Sequence, residues 1–129
     1  MDVFDPGSHG STFGGNPLAA AVALEALQVI EDEGLVERSA ELGAHLRARL
    51  AGIQSPLIKE VRGLGLWVGV ELHADRVSAR AVAEAMARRG VLSKETHGTV
   101  IRFAPPLVIE RDALDWGVEV FAEALSECA

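Results

Sequence analysis

Residues 7–17, Gly-Ser-His-Gly-Ser-Thr-Phe-Gly-Gly-Asn-Pro, bring four glycines and three hydroxyl side chains together directly in front of a long apolar stretch. Glycines let backbone N–H groups approach an anion that a Cβ would hold off, and Ser11 and Thr12 add hydroxyl donors. Asn16 followed by Pro17 spells a helix start, N-cap and then first helical residue, so the loop runs into the positive end of a helix dipole. Phosphate binding is the chemistry that such a loop suits. Its spacing is neither that of a P-loop, which needs Lys-Ser/Thr after the last glycine, nor that of a dinucleotide fingerprint after a strand. A plain glycine-rich turn is the competing reading.

Arg102 is the most informative charge. It sits in Val100-Ile101-Arg102-Phe103-Ala104-Pro105-Pro106-Leu107, flanked by apolar residues and followed by two prolines that stiffen the chain. A guanidinium on a rigid, partly desolvated strand end suits a bidentate grip on a carboxylate, and an internal ion pair to Glu71 or Glu60 is the alternative. His9, His45, His73 and His97 show no metal-ligand spacing, so no metal site is expected. The two lysines, Lys59 and Lys94, fall in or at the end of predicted strands, away from any apolar pocket that would activate an amine. No complete catalytic constellation is visible in the chain.

These residues belong to a chain of 129 residues, one domain's worth, of which 49% are hydrophobic. That excess suggests surface covered by another domain or subunit, with a well-filled core as the plain alternative. A formal charge of −7 without a basic block argues against nucleic acid as a partner. Cys128 is the only cysteine, which excludes an intrachain disulfide and fits a reducing, cytoplasmic setting. The longest apolar run, Leu18 to Ile30, is too short for a membrane span and carries Glu25 and Gln28. The early binding loop makes the chain read as the back part of something longer.

The elements that must position these residues follow from periodicity. A first helix is expected from Pro17 to Glu33, apolar nearly all round and hence buried on several sides, with Gly34 as its stop. A second, Leu35 to Leu50, places Leu35, Leu42, Leu46 and Leu50 on one face. Strands are expected at Leu57–Val61 and Leu66–Leu72, paired as a hairpin around Arg62-Gly63-Leu64-Gly65, with Trp67, Val68 and Val70 as core or interface surface. Ser78 caps a third helix, Ala79 to Arg89, stopped by Gly90; strands at Val91–Ser93 and Thr99–Phe103 follow, and a last helix starts near Arg111. The order ααββαββα predicts a small α+β domain with a mainly antiparallel sheet of three or four strands, helices on one face, and a long helix ahead of it.

Three stretches, Gly7–Leu18, Val61-Arg-Gly-Leu-Gly-Leu66 and Thr96-His-Gly-Thr-Val-Ile-Arg-Phe-Ala-Pro-Pro-Leu107, resemble in order and spacing the C-terminal segment of the class III pyridoxal-phosphate-dependent aminotransferases. The third, with Thr96-His97-Gly98 ahead of Arg102, looks most like the ornithine aminotransferase branch; acetylornithine and other ω-amino-acid relatives share mainly the Arg-Phe-x-Pro-Pro core. The likeness implies residues 1–16 as a phosphate-binding loop at the tail of the large domain, 17–34 as a linking helix and 35–129 as the small C-terminal α/β domain of a fold-type I enzyme. It further implies that Ser11 and Thr12 donate to the pyridoxal 5′-phosphate of the partner subunit in a homodimer. Arg102 falls where the family grips the α-carboxylate of glutamate or 2-oxoglutarate. The reaction implied moves the δ-amino group of ornithine to 2-oxoglutarate. The lysine that anchors the cofactor, the acidic partner of the pyridine nitrogen and the stacking aromatic lie upstream in the family, and none has a matching motif here. The chain alone is therefore expected to be inactive, with a stand-alone interaction module as the remaining alternative.

Overall fold

The side chain of Asn16 closes the first turn of helix α1 (Pro17–Asp32), its Oδ1 accepting from the Ala19 amide at 2.9 Å, while Pro17 takes a position where no N–H is needed. The computed structural model describes Asp5 and residues 7–129. Gly34, at φ +59, lies past the end of α1. The helix contains no buried residue, so the all-round burial expected from its sequence is not met within this chain. One compact unit ends at Gly34, and the second is Leu35–Ala129.

The second unit begins with α2 (Leu35–Ala51), whose Leu35, Leu42, Leu46 and Leu50 recur at helical spacing and are buried. Strands β1 (Ile58–Leu64) and β2 (Trp67–Leu72) form an antiparallel hairpin. β1 runs three residues beyond its expected end, through Arg62, Gly63 and Leu64. Gly63 read as turn punctuation, yet it pairs with Val68 inside the hairpin, where a Cβ would lie 2.2 Å from the Trp67 carbonyl oxygen. The two-residue connection is Gly65-Leu66, with Gly65 at φ +52.

Helix α3 (Ala79–Arg88) starts on Ser78, whose Oγ accepts from the Ala81 amide. It ends in a Schellman arrangement: Gly90 N–H donates to Ala87 O and Val91 N–H to Met86 O, both at 3.1 Å. That bond corrects the strand expected at Val91–Ser93. The Val91 amide is spent on the helix end, and β3 is instead Lys94–Thr96. A loop of residues 97–99, with φ +51 at His97 and +76 at Gly98, then returns the chain into β4 (Val100–Phe103). Helix α4 (Arg111–Glu127) closes the unit.

The sheet order is β1-β2-β4-β3, every neighbour antiparallel. Alternation assigns its faces: Val68, Val70 and Leu72 of β2 with Ile101 and Phe103 of β4 point inward against α2, α3 and α4, and Phe103 meets Phe121 edge-on at 5.3 Å. Trp67, Gly69, Glu71 and Arg102 occupy the opposite face, which no helix of this unit covers.

Candidate functional site

Each part of the candidate site lies within one of the two units. In the first, the loop from Gly7 to Asn16 is built from short-range turns: Ser8 N–H and Oγ–H both donate to Asp5 O, Gly14 N–H donates to Ser11 O, and Asn16 donates twice to Phe13 O. Gly15 takes φ +78, which favours glycine, and a Cβ on Gly14 would lie 3.0 Å from Ser11 Cβ, a tight contact. Ser11 and Thr12 are exposed, and among the described residues no hydrogen bond engages either hydroxyl. At the helix end itself, Pro17 has no N–H and the Ala19 amide is taken by Asn16. An anion here would find few free donors in the first turn of α1.

In the second unit, Arg102 stands on the uncovered face of β4, opposite Gly69 of β2 and Lys94 of β3 in register. Its guanidinium carbon lies 6.0 Å from the ring centroid of Trp67. The internal ion pair weighed from sequence is absent among the described residues, and its two candidate partners are occupied. Glu71 accepts from Lys59 at 2.5 Å and from Arg62 at 2.7 Å, and Glu60 accepts from Arg62 at 3.0 Å. Arg62, Trp67, Gly69, Thr96 and Arg102 line a shallow recess of about 310 Å³. A larger cavity of about 450 Å³, at α2 and the β1–β2 turn, is lined mainly by Leu35, Val36, Ala40, Leu64 and Leu107 and offers no carboxylate or imidazole.

The hydrogen bond from Lys59, reinforced by Arg62, holds the Glu71 carboxyl below the usual carboxylate range, and Arg62 is raised chiefly by its bond to Glu71. A carboxyl with a lowered folded-state pKa stabilises the fold above its unfolded pKa, and that contribution is lost as pH falls through the folded value. Glu127, held down by Arg89 and Arg88 between α3 and α4, acts in the same sense. The urea midpoint of the chain should therefore fall on acidification below about pH 4.5, with Glu71→Gln flattening the slope. An unchanged slope in that variant would deny Glu71 its part.

Lys59 is committed to Glu71, and Lys94 is exposed beside Arg102 in the sheet register. Among the described residues no group of three or more His, Cys, Asp or Glu is arranged to hold a metal, and no helix is long and apolar enough to cross a membrane. Sequence reasoning missed the Trp67–Arg102 contact. The alternation of Trp67, Gly69 and Glu71 with buried Val68, Val70 and Leu72 was the available signal. It also missed the cluster joining α2 to α4, where His45 Nε2 lies 2.8 Å and Arg49 Nε 3.2 Å from Asp115 Oδ1.

The aminotransferase class-III family model matches residues 1–125, and the chain belongs to that family, whose members are generally pyridoxal-phosphate-dependent. An ornithine aminotransferase of Staphylococcus carnosus is 58% identical over 126 residues, covering 98% of this chain and 31% of that protein. The crystal structure of the ornithine aminotransferase of Toxoplasma gondii superposes with a TM-score of 0.83 at 45% identity, over 98% of this chain and 31% of that one. An acetylornithine aminotransferase of Elizabethkingia anophelis reaches 0.82 at 44% identity, over 98% of this chain and 34% of that one. The chain thus spans about a third of the length of these relatives. Uncommitted hydroxyls on Ser11 and Thr12, in a turn where Gly15 takes φ +78, are donors of the kind that a phosphate monoester would need.

Proposed function

We propose that this chain is the C-terminal part of an ornithine aminotransferase, a cytoplasmic homodimer that transfers the δ-amino group of ornithine to 2-oxoglutarate, giving glutamate semialdehyde and glutamate. Residues 1–16 are then the phosphate-binding tail of the large domain, 17–34 the linking helix and 35–129 the small domain. The observation that carries this reading is Arg102. The two carboxylates in question, Glu71 and Glu60, are paired with Lys59 and Arg62, so among the described residues its donors remain available for the α-carboxylate of an amino or oxo acid. Ser11 and Thr12 bind the phosphate of the cofactor across the dimer. Pyridoxal 5′-phosphate, when bound, supplies the electron sink that lets an amino group leave one carbon and be placed on another. The residues here bind and orient; the lysine that anchors the cofactor belongs to the large domain, and this chain alone is inactive.

The test is an assay of the full-length polypeptide with ornithine and with N-acetylornithine, 2-oxoglutarate being the acceptor in both, alongside this chain by itself. Ornithine should be the better donor, and the isolated chain should give neither turnover nor a cofactor absorption band. Turnover by the chain alone would refute its dependence on the large domain. The 44% identity to an acetylornithine aminotransferase favours a second reading, and preference for N-acetylornithine would move the assignment there.

A further inference from the structure

A loop that binds an anion through side-chain hydroxyls gains affinity from holding them still beforehand. Every residue ordered only on binding subtracts its conformational entropy from the affinity, so what fixes the backbone at Ser11 and Thr12 matters as well as the hydroxyls themselves. Asn16 joins that backbone to α1. Its Oδ1 accepts from the Ala19 amide at 2.9 Å, which caps the helix, while on the loop side its Nδ2–H donates to Phe13 O at 2.8 Å and its backbone N–H to the same oxygen at 3.3 Å. Its own carbonyl accepts from the Ala20 amide at 3.1 Å. Phe13 directly follows Thr12, and Gly14 N–H closes the preceding turn on Ser11 O, so two overlapping turns run from Ser11 to Asn16. Thr12 therefore lies between two carbonyls that are each bound.

Capping alone does not call for asparagine. Aspartate, serine and threonine serve as N-caps too, and Ser78 caps α3 of this chain by accepting from the Ala81 amide. Asparagine differs in carrying its acceptor and its N–H donor on two separate atoms, so one side chain can close the helix and hold the loop at once. A serine has a single, nearer oxygen for both tasks. An aspartate would set an acceptor against the Phe13 carbonyl and place a negative charge beside the anion. We infer that Asn16 is a positioning residue for the cofactor phosphate: by binding Phe13 O from the capped end of α1, it fixes the turns that carry Ser11 and Thr12 before the anion arrives. The inference rests on the reading of those two hydroxyls as donors to pyridoxal 5′-phosphate.

The experiment titrates the full-length polypeptide, freed of cofactor, with pyridoxal 5′-phosphate and separately with pyridoxal, which lacks the phosphate. The variants are Asn16→Ser, Asn16→Asp, the Ser11→Ala/Thr12→Ala pair and that pair combined with Asn16→Ser. Asn16→Ser keeps a cap of the Ser78 kind and should weaken pyridoxal 5′-phosphate about 3- to 10-fold, the scale of one net hydrogen bond, while leaving pyridoxal unchanged. Asn16→Asp should weaken it further, because its carboxylate repels both the Phe13 carbonyl and the phosphate. The triple variant should bind no more weakly than the Ser11→Ala/Thr12→Ala pair. Affinity for pyridoxal 5′-phosphate unchanged in Asn16→Ser but reduced in that pair would make Asn16 a helix cap and nothing more, and leave the phosphate reading standing. Affinity unchanged in the pair would remove that reading and this inference with it. Equal losses for pyridoxal and its phosphate in Asn16→Ser, or a loss that persists in the triple variant, would assign Asn16 a structural role.

Discussion

Replacing Arg102 by leucine in the full-length polypeptide should weaken 2-oxoglutarate by about 2–5 kcal/mol, the scale for truncating one partner of a buried charge pair. At about 1.4 kcal/mol per decade the lower end is already near 30-fold in KM. The loss should appear in the oxo-acid half of the reaction and spare the fold. Arg102 makes no ion pair among the described residues, and Glu71 and Glu60 keep Lys59 and Arg62 when it is removed. The melting temperature should therefore stay close to that of the parent. Arg102→Lys should recover part of the loss, because a lysine restores charge without the planar fork. Unchanged affinity combined with a lower melting temperature would return Arg102 to a structural role.

Gly43→Ala should be the most damaging small substitution in the second unit. In an exposed helix interior alanine is better than glycine by up to about 1 kcal/mol. Gly43, however, lies on the buried face of α2 against the β1–β2 turn, and a Cβ there would sit 2.0 Å from the Gly65 carbonyl oxygen and 2.1 Å from its carbon. Gly65 has nowhere to retreat. Its φ is +52, a Cβ on it would meet Ser39 Oγ at 2.5 Å, and the Leu66 amide donates to that same oxygen at 3.2 Å. Relief requires moving the helix off the hairpin, an overpacking cost of about 3 kcal/mol against a total stability on the order of 10 kcal/mol. Gly117→Ala in α4 is the control. A Cβ there meets nothing within 4 Å, so it should stabilise by about 0.5–1 kcal/mol. Urea midpoints that move in the same direction for both variants would deny the close approach at Gly43.

Local signals were legible from the sequence, and contacts made across the fold were not. Asn16-Pro17, Ser78 and the glycines after α1 and α3 marked helix ends because each performs its capping chemistry with its immediate neighbours. The strand at Lys94–Thr96 was misplaced because the Val91 amide closes α3, and a β-favouring residue carries no mark of where its N–H will donate. Gly63 looked like a turn and is a strand residue for the sake of Trp67 and Val68 across the hairpin. At the site, Arg102 was recognisable from its apolar setting, but its neighbours come from another strand. Only the β2–β4 register brings Trp67 to it and leaves Glu71 to others.

The ends of the sheet bear on how copies of this chain avoid one another. β1 and β3 are its two outer strands, and an open strand edge is a template on which another chain can add. β3 is only three residues long and starts on Lys94. β1 is longer, but it carries Lys59, Glu60 and Arg62, and its pairing is irregular between Ile58 and Glu60. An incoming copy would have to strip water from these charges and follow a strand whose register is interrupted. Lys59 and Arg62, which tie up Glu71, thus also place on an outer strand the charges by which sheet edges discourage edge-to-edge pairing.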